Sequence, residues 1–283
     1  MGIALPKLGP NPGGASLAGK SVVVTGGNAG LGLEATRQLL QLGPAVLIIA
    51  CRTVSKGEDA KPELLATANR TTTEIRVMQL DMEDPRSIVA FASATRKQLS
   101  ALDILILNAG IGYTGKFETG PTGHERTMQT NAYSNVLLAL ELLPLLEAGP
   151  SPSRITWVGS RRMADDTQFR KQTPQPALAW LDDPKAFIAR ERYTDSKLVA
   201  LMCMYELAAC LDQSKVVLNM MCPGMTKTNF FSGVPFPLSL IISALWALRA
   251  REVEVGGWIV LHSAVYAGPE THGQFNLDRD VKP

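Results

Sequence analysis

Short apolar runs alternate along the chain with longer stretches whose apolar residues recur at helical spacing. "SVVVTGG" (21–27) is a continuous β-branched run closed by glycines, the pattern of a strand buried on both faces. "LGLEATRQLLQLG" follows with helical periodicity and a terminal glycine. The same alternation continues through "AVLIIACR" (45–52), "TEIRVMQLD" (73–81), "LDILILNAG" (102–110), "SRITWVGS" (153–160) and "KVVLNMMCPG" (215–224). These six runs read as strands. Between them, "SKGEDAKPELLATAN" opens on a Ser55–Glu58 capping-box spacing, and "DPRSIVAFASATRKQL" offers Asp84 as a cap with Pro85 in the first helical position. A further helix is expected from about Thr122 to Glu147, where Thr122 and Glu125 repeat the capping-box spacing. A last one carries "ERYTDSKLVALMCMYELAA" (191–209).

Strands alternating with helices over the whole length predict an α/β fold. It would be one doubly wound parallel sheet in a single domain of the Rossmann kind, with helices on both faces. The expected boundaries are a flexible leading segment, 1–20, rich in Gly and Pro, and a single domain from 21 to 283. Two stretches break the rhythm, 161–192 and 229–250. Both follow carboxyl ends of strands, where open α/β sheets bind ligands, so they are expected to form pocket walls or a lid.

Composition changes this picture little. The chain has 283 residues, 46% hydrophobic and 19% charged, with a formal net charge of +2. That is ordinary globular composition without a basic tract, so a nucleic-acid partner is not expected. Four cysteines (51, 203, 210 and 222) and three histidines (124, 262 and 272) show no metal-ligand spacing. Free thiols in a reducing compartment fit better than a disulfide framework, and a cytoplasmic location without a transmembrane segment is expected. The longest apolar run, in "VPFPLSLIISALWALRA", falls short of the ~20 residues needed to span a bilayer.

The first candidate chemistry lies in "TGGNAGLG" (25–32), where Gly26, Asn28, Gly30, Leu31 and Gly32 form a glycine-rich turn between the first strand and its helix. Glycines allow close backbone approach, and a helix N-terminus offers free N–H groups to a pyrophosphate. The second strand ends in "ACRTVSK" without a carboxylate but with Arg52 and then Lys56. Cations there match the 2′-phosphate of NADP(H) better than the ribose hydroxyls of NAD(H). Tyr193 and Lys197 stand four apart on one helix face. The pair is either a plain surface contact or a phenol whose pKa is tuned by an ammonium.

These segments together resemble the short-chain dehydrogenase/reductase family over nearly the whole chain. The motifs are "TGGNAGLG", "LD" (80–81), "NAG" (108–110), "TN" (130–131), "VGS" ending at Ser160, "YTDSK" (193–197) and "PGMTKT" (223–228). "ACRTVSK" and "TGPTGHERTMQTNAYSNVLLALELLPLL" are most similar to its retinol-dehydrogenase-like, NADP(H)-using branch, here without that branch's membrane anchor. The resemblance implies a catalytic set of Asn131, Ser160, Tyr193 and Lys197. In that set Tyr193 donates the proton, Lys197 supports it and the cofactor ribose, and Ser160 bonds the substrate oxygen. Asn131 holds a water of a proton relay. It further implies Asp81 and Met82 beside the adenine, and Asn108, Ala109 and Gly110 along the cofactor. Pro223, Gly224, Met225, Thr226 and Thr228 would surround the nicotinamide.

The implied function is NADPH-dependent reduction of a ketone or aldehyde on a hydrophobic small molecule, or the reverse oxidation, in specialised metabolism. The alternatives are a cofactor-binding interaction or sensor protein without turnover, and a reductase acting on an iminium-type bond. Arg161 and Arg162 beside Ser160 offer partners for a substrate carboxylate. A homodimer or homotetramer through helices corresponding to 123–148 and 193–213 is implied as well.

Overall fold

The computed structural model describes residues 8–68, 72–228 and 250–282. The six apolar runs become β1 (Ser21–Thr25), β2 (Val46–Cys51), β3 (Glu74–Gln79), β4 (Ile104–Leu107), β5 (Ser153–Val158) and β6 (Val216–Cys222). They form a parallel sheet in the order β3-β2-β1-β4-β5-β6, the doubly wound arrangement. Their continuous hydrophobicity follows from burial on both faces. In β1, Val23 joins the core on one side of the sheet, while Val22 and Val24 join the core on the other. In β5, Ile155 and Trp157 divide from Val158 in the same way.

Two short strands, β7 (Phe275–Leu277) and β8 (Asp280–Lys282), extend the sheet beyond β6, the last one antiparallel. Three-residue strands carry no readable periodicity, so the sequence did not announce them. Ahead of β1, Leu17 is buried and its N–H donates to the Leu42 carbonyl at 2.8 Å.

The helices are α1 (Gly30–Leu40), α2 (Val54–Thr67), α3 (Pro85–Gln98), a short α4 (Arg126–Met128), α5 (Ser134–Leu146), α6 (Gln168–Gln172), α7 (Ala177–Leu181), α8 (Ala189–Cys210) and α9 (Val253–Leu261). Asp84 caps α3 as its sequence predicts, accepting from the Arg86 N–H with Pro85 in the first turn. The other two capping expectations fail. The helix near Ser55 begins one residue earlier, at Val54, without a side-chain cap. Thr122 precedes α4 altogether; Glu125 itself is the cap, its carboxylate accepting from the Met128 N–H. The Thr122 hydroxyl instead donates to Gln129 Oε1 at 2.7 Å, a tertiary partner that competes successfully with a local cap.

Between α4 and α5 the helix widens into a π-turn over Gln129–Tyr133, where the Ser134 N–H reaches back to the Gln129 carbonyl. Such turns arise where one extra residue is accommodated in a helix, and the polar Asn131 sits inside it. Residues 161–192, expected as a pocket wall, fold into a 3₁₀ turn (Arg161–Ala164), α6, α7, a second 3₁₀ turn (Pro184–Ala186) and the start of α8. The lid expectation over 229–250 falls, up to residue 249, outside the described residues. No helix among the described residues is long and apolar enough to cross a membrane.

Candidate active site

The carboxyl ends of β1, β2, β4, β5 and β6 open on one cleft of about 1280 Å³. Every candidate catalytic or cofactor-binding residue from the sequence lines it except Asn131, which lies immediately behind.

At the floor, Gly26 takes φ +65° and Gly30 φ +52°, left-handed conformations that glycine adopts without steric cost. Gly32 faces a different constraint. A Cβ there would stand 2.2 Å from the Gly26 carbonyl oxygen and 2.5 Å from Asn108 Nδ2. The turn is therefore closed against any side chain. α1 starts at this turn with Ala29 as N-cap, no side-chain cap bond and no acidic residue in its first turn. Its leading N–H groups are thus open to an anion. Asn108 is a brace for this floor. Its Nδ2 donates to the Thr25 carbonyl at 2.8 Å, and the N–H groups of Asn108 and Ala109 donate to Thr25 Oγ1 at 2.9 and 2.8 Å.

At one end of the cleft, Arg52 is 61% exposed, with Nη1 at 3.1 Å from Glu83 Oε1. Glu83 is held more firmly by Arg126, whose Nη2 and Nε lie 2.8 and 2.9 Å from its two oxygens. Arg52 is thus tethered weakly enough to turn toward another anion. Lys56 lines the same end. Asp81 uses its carboxylate locally, accepting from the Glu83 N–H at 3.0 Å, and Met82 is buried with its neighbours in the core.

At the other end, α8 presents Tyr193 and Lys197 to the cleft. The Tyr193 hydroxyl is hydrogen-bonded to the Ser160 side chain, and burial pushes the phenol up to about 12. Ser160 Oγ also accepts the Arg162 N–H at 3.3 Å, which orients it at the start of the 3₁₀ turn. Lys197 Nζ donates to the Val158 carbonyl at 2.8 Å and lies 5.8 Å from the Tyr193 ring centroid. Burial lowers its ammonium to about 8.

Asn131 braces the back of this group. Its Oδ1 accepts the Ile111 N–H at 2.8 Å, and its Nδ2 donates to the Ile111 carbonyl and to Ser196 Oγ, both at 2.9 Å. The side-chain amide therefore ties the loop after β4 to α8. Gly110 leaves the room this demands, since a Cβ there would stand 2.9 Å from Asn131 Oδ1.

The loop after β6 closes the cleft. Gly224 takes φ +76° beside the Arg251 guanidinium, Thr226 bridges to Arg251, and Thr228 packs toward Gly30.

The family profile described as short chain dehydrogenase matches residues 20–165. Short chain dehydrogenase macD of Penicillium terrestre is 47% identical, over 99% of this chain and 88% of its own. The chain belongs to the short-chain dehydrogenase/reductase family. Short chain dehydrogenase yanD of Aspergillus niger is 46% identical over 98% of this chain and 87% of its own. Among solved structures, the RhlG/NADP active-site complex of Pseudomonas aeruginosa aligns with a TM-score of 0.69 at 24% identity, covering 93% of this chain and 94% of that one. The NADPH-dependent 3-quinuclidinone reductase of Rhodotorula rubra aligns with a TM-score of 0.69 at 21% identity, covering 96% of each chain. At those identities the likeness carries the fold.

In this short-chain dehydrogenase/reductase, several site residues escaped the sequence reading. Thr25 stands inside the glycine motif, and its hydroxyl, the acceptor for two N–H groups, was open to inference from the strand's end. Glu83 and Ser196 gave no signal, because their partners Arg52, Arg126 and Asn131 are remote in sequence. Cys222 is buried at the end of β6, and its sulfur accepts the Arg161 and Gly224 N–H groups at 3.3 and 3.4 Å. It joins the two loops that frame Tyr193 and Lys197.

Proposed function

We propose that this enzyme uses NADPH to reduce a ketone or aldehyde of a hydrophobic small molecule, or runs the reverse oxidation. The carrying observation is the hydrogen-bonded Ser160–Tyr193 pair with Lys197 beneath it, at one end of a cleft that has the glycine turn as its floor.

The cleft residues fit an NADP(H) molecule. The uncapped N-terminus of α1 offers N–H groups to the pyrophosphate, with Asn28, Gly30 and Leu31 alongside. Arg52 and Lys56 would hold the 2′-phosphate, and Asp81 and Met82 would border the adenine. Asn108, Ala109 and Gly110 would follow the cofactor's length, with Pro223, Gly224, Met225, Thr226 and Thr228 around its nicotinamide end. When bound, the dihydronicotinamide supplies a hydride to the carbonyl carbon.

The chain's own residues manage the oxygen. Ser160 bonds the carbonyl oxygen, and Tyr193 passes its proton to that oxygen as negative charge develops. A phenol at about 12 stays protonated at neutrality, which suits it as the donor in the reductive direction. Lys197 stands close enough to stabilise the phenolate left behind. The π-turn at Asn131 would hold the water through which the phenolate is reprotonated; the Asn131 carbonyl is held there by Asn135 Nδ2 at 3.1 Å. Ile111, Val158, Cys222 and Met225 line this end, favouring an apolar substrate. The reaction is proposed to serve specialised metabolism.

Two further readings belong here. Four free cysteines favour a cytosolic location. Leu140 on α5 and Met202 and Tyr205 on α8 are exposed apolar side chains, which supports a homodimer or homotetramer through these helices. The decisive experiment is Tyr193→Phe. It should bind NADPH as the wild type does and lose carbonyl reduction by ~10³-fold or more, as removal of a proton donor implies. Full activity in that variant would sink the assignment.

A further inference from the structure

Arg192, the residue before Tyr193, presents a problem the proposed mechanism leaves open. It lies in the first turn of α8, at the positive end of the helix dipole, yet it is only 1% exposed. Its guanidinium carbon is 5.3 Å from the Phe187 ring centroid and 6.0 Å from that of Trp180. The nearest carboxylate is that of Glu125, 3.9 Å from Arg192 Nε and fully buried. None of the three guanidinium nitrogens has a hydrogen-bond partner among the described residues. A buried guanidinium without a hydrogen bond is costly to the fold, so packing alone does not account for the charge.

Its surroundings do. Glu125 caps α4, which leads directly into the π-turn carrying Asn131, and its N–H donates to Asp182 Oδ1 at 2.8 Å. His124 Nδ1 bonds the other Asp182 oxygen at 2.7 Å. Asp182 follows α7, between Trp180 and Phe187, in the wall that runs from Ser160 to Tyr193. A few residues along α8, Asp195 is hydrogen-bonded to Thr167, the N-cap of α6 in the same wall. Arg192 thus stands where three pieces meet: the start of the helix with Asn131, the wall between Ser160 and α8, and the turn of α8 that carries Tyr193.

We propose that Arg192 is a positioning residue: clamped between Trp180 and Phe187 and facing Glu125, it locks that wall to α8 and so sets where the Tyr193 hydroxyl stands relative to Ser160. The unpartnered Tyr133 hydroxyl and Asp195 Oδ1 make the junction polar enough to hold ordered water against the guanidinium. This proposal rests on the reductase reading for its functional consequence, since Arg192 does not line the cleft.

The test compares Arg192→Met and Arg192→Lys with the wild type in three measurements. These are kcat for any carbonyl the wild type reduces, NADPH affinity by fluorescence titration, and the thermal midpoint. Arg192→Met should fold with a lower midpoint, because buried Glu125 loses its facing cation, and bind NADPH within about twofold. Its kcat should fall by about 10- to 100-fold, the scale of a small misplacement of a reacting group. Arg192→Lys, which keeps the charge without the flat guanidinium, should recover part of that loss. A folded Arg192→Met with kcat within twofold of wild type overturns the proposal, as does a fall in midpoint alone.

Should Arg192→Met not fold, Glu125→Gln replaces it. A loss in kcat with retained NADPH affinity supports the clamp, and an unchanged kcat overturns it. If the wild type reduces no carbonyl, the reductase reading itself has failed. The clamp is then read from the apparent pKa of Tyr193 in ¹³C-tyrosine-labelled, NADP⁺-saturated enzyme, with Tyr193→Phe assigning the signal. Moving the Tyr193 hydroxyl away from Ser160, whose hydrogen bond lowers the phenol, should raise that value in Arg192→Met, and an unmoved value overturns the proposal.

Discussion

Lys197→Met should make the cofactor-free enzyme more stable at neutral pH while abolishing its activity. The Lys197 ammonium is buried, and burial lowers its pKa from 10.5 to about 8 in the folded chain. At ~1.4 kcal/mol per unit, keeping it charged at pH 7 costs the fold about 3 kcal/mol. Methionine has a similar reach and no charge. Removing the amine strips the Val158 carbonyl of its donor at 2.8 Å, which costs about 1 to 2 kcal/mol. The net is a gain of about 1 to 2 kcal/mol, or a rise of roughly 2–8 °C in thermal midpoint for a chain of this size.

The pH dependence discriminates. Between the folded value of about 8 and the unfolded 10.5, the unfolded chain binds more protons at Lys197 than the folded one. Wild-type stability therefore rises with pH across that window relative to the mutant. Tyr193 titrates higher and is common to both proteins. Urea unfolding without cofactor at pH 7, 8.5 and 10 reads the difference. The mutant should lead at pH 7 and lose its lead by pH 10. A mutant less stable at pH 7, with a gap that does not change with pH, would refute the reasoning.

Gly32→Ala places a Cβ 2.2 Å from the Gly26 oxygen, so NADPH affinity should fall by at least ~10-fold as the helix N-terminus is displaced, with the circular-dichroism spectrum retained. Arg52→Ala should raise the KM for NADPH by ~10- to 100-fold, the worth of a charge-assisted hydrogen bond to phosphate, and leave the KM for NADH unchanged. Asn131→Ala leaves the Ile111 N–H and Ser196 short of a partner and should cost about 1 to 3 kcal/mol in urea unfolding, with kcat lowered too. Met202→Glu with Tyr205→Glu puts charge on an exposed apolar face of α8; light scattering should show a smaller particle than the wild type if that face is the homo-oligomer contact.

The family and its sheet were legible because the relevant signals are local. β1, β2, β4 and β6 are nearly continuous apolar runs, as strands covered on both faces have to be, while β3 at the edge keeps Glu74, Arg76 and Gln79. The glycine turn was legible for the same reason: Gly26 and Gly30 hold conformations that restrict residue type at those positions. Asp84 with Pro85 was a correct cap because nothing remote competes for its carboxylate except its own Arg86. Thr122 was a wrong one because Gln129 claims its hydroxyl. β7 and β8 were invisible, since strands of three residues owe their pairing to β6 rather than to any pattern of their own.

Within the site, helical spacing set Tyr193 and Lys197 on one face, and the family resemblance singled out Ser160 and Asn108 at the ends of strands. The tertiary structure decided what state they are in. Burial at the sheet's carboxyl edge raises the Tyr193 phenol and lowers the Lys197 ammonium, and no spacing along the chain encodes that desolvation. It also decided that Glu83 holds Arg52, and that Arg192 meets Glu125, Trp180 and Phe187. Those contacts join segments far apart in the chain, where each residue's meaning depends on what the fold brings against it.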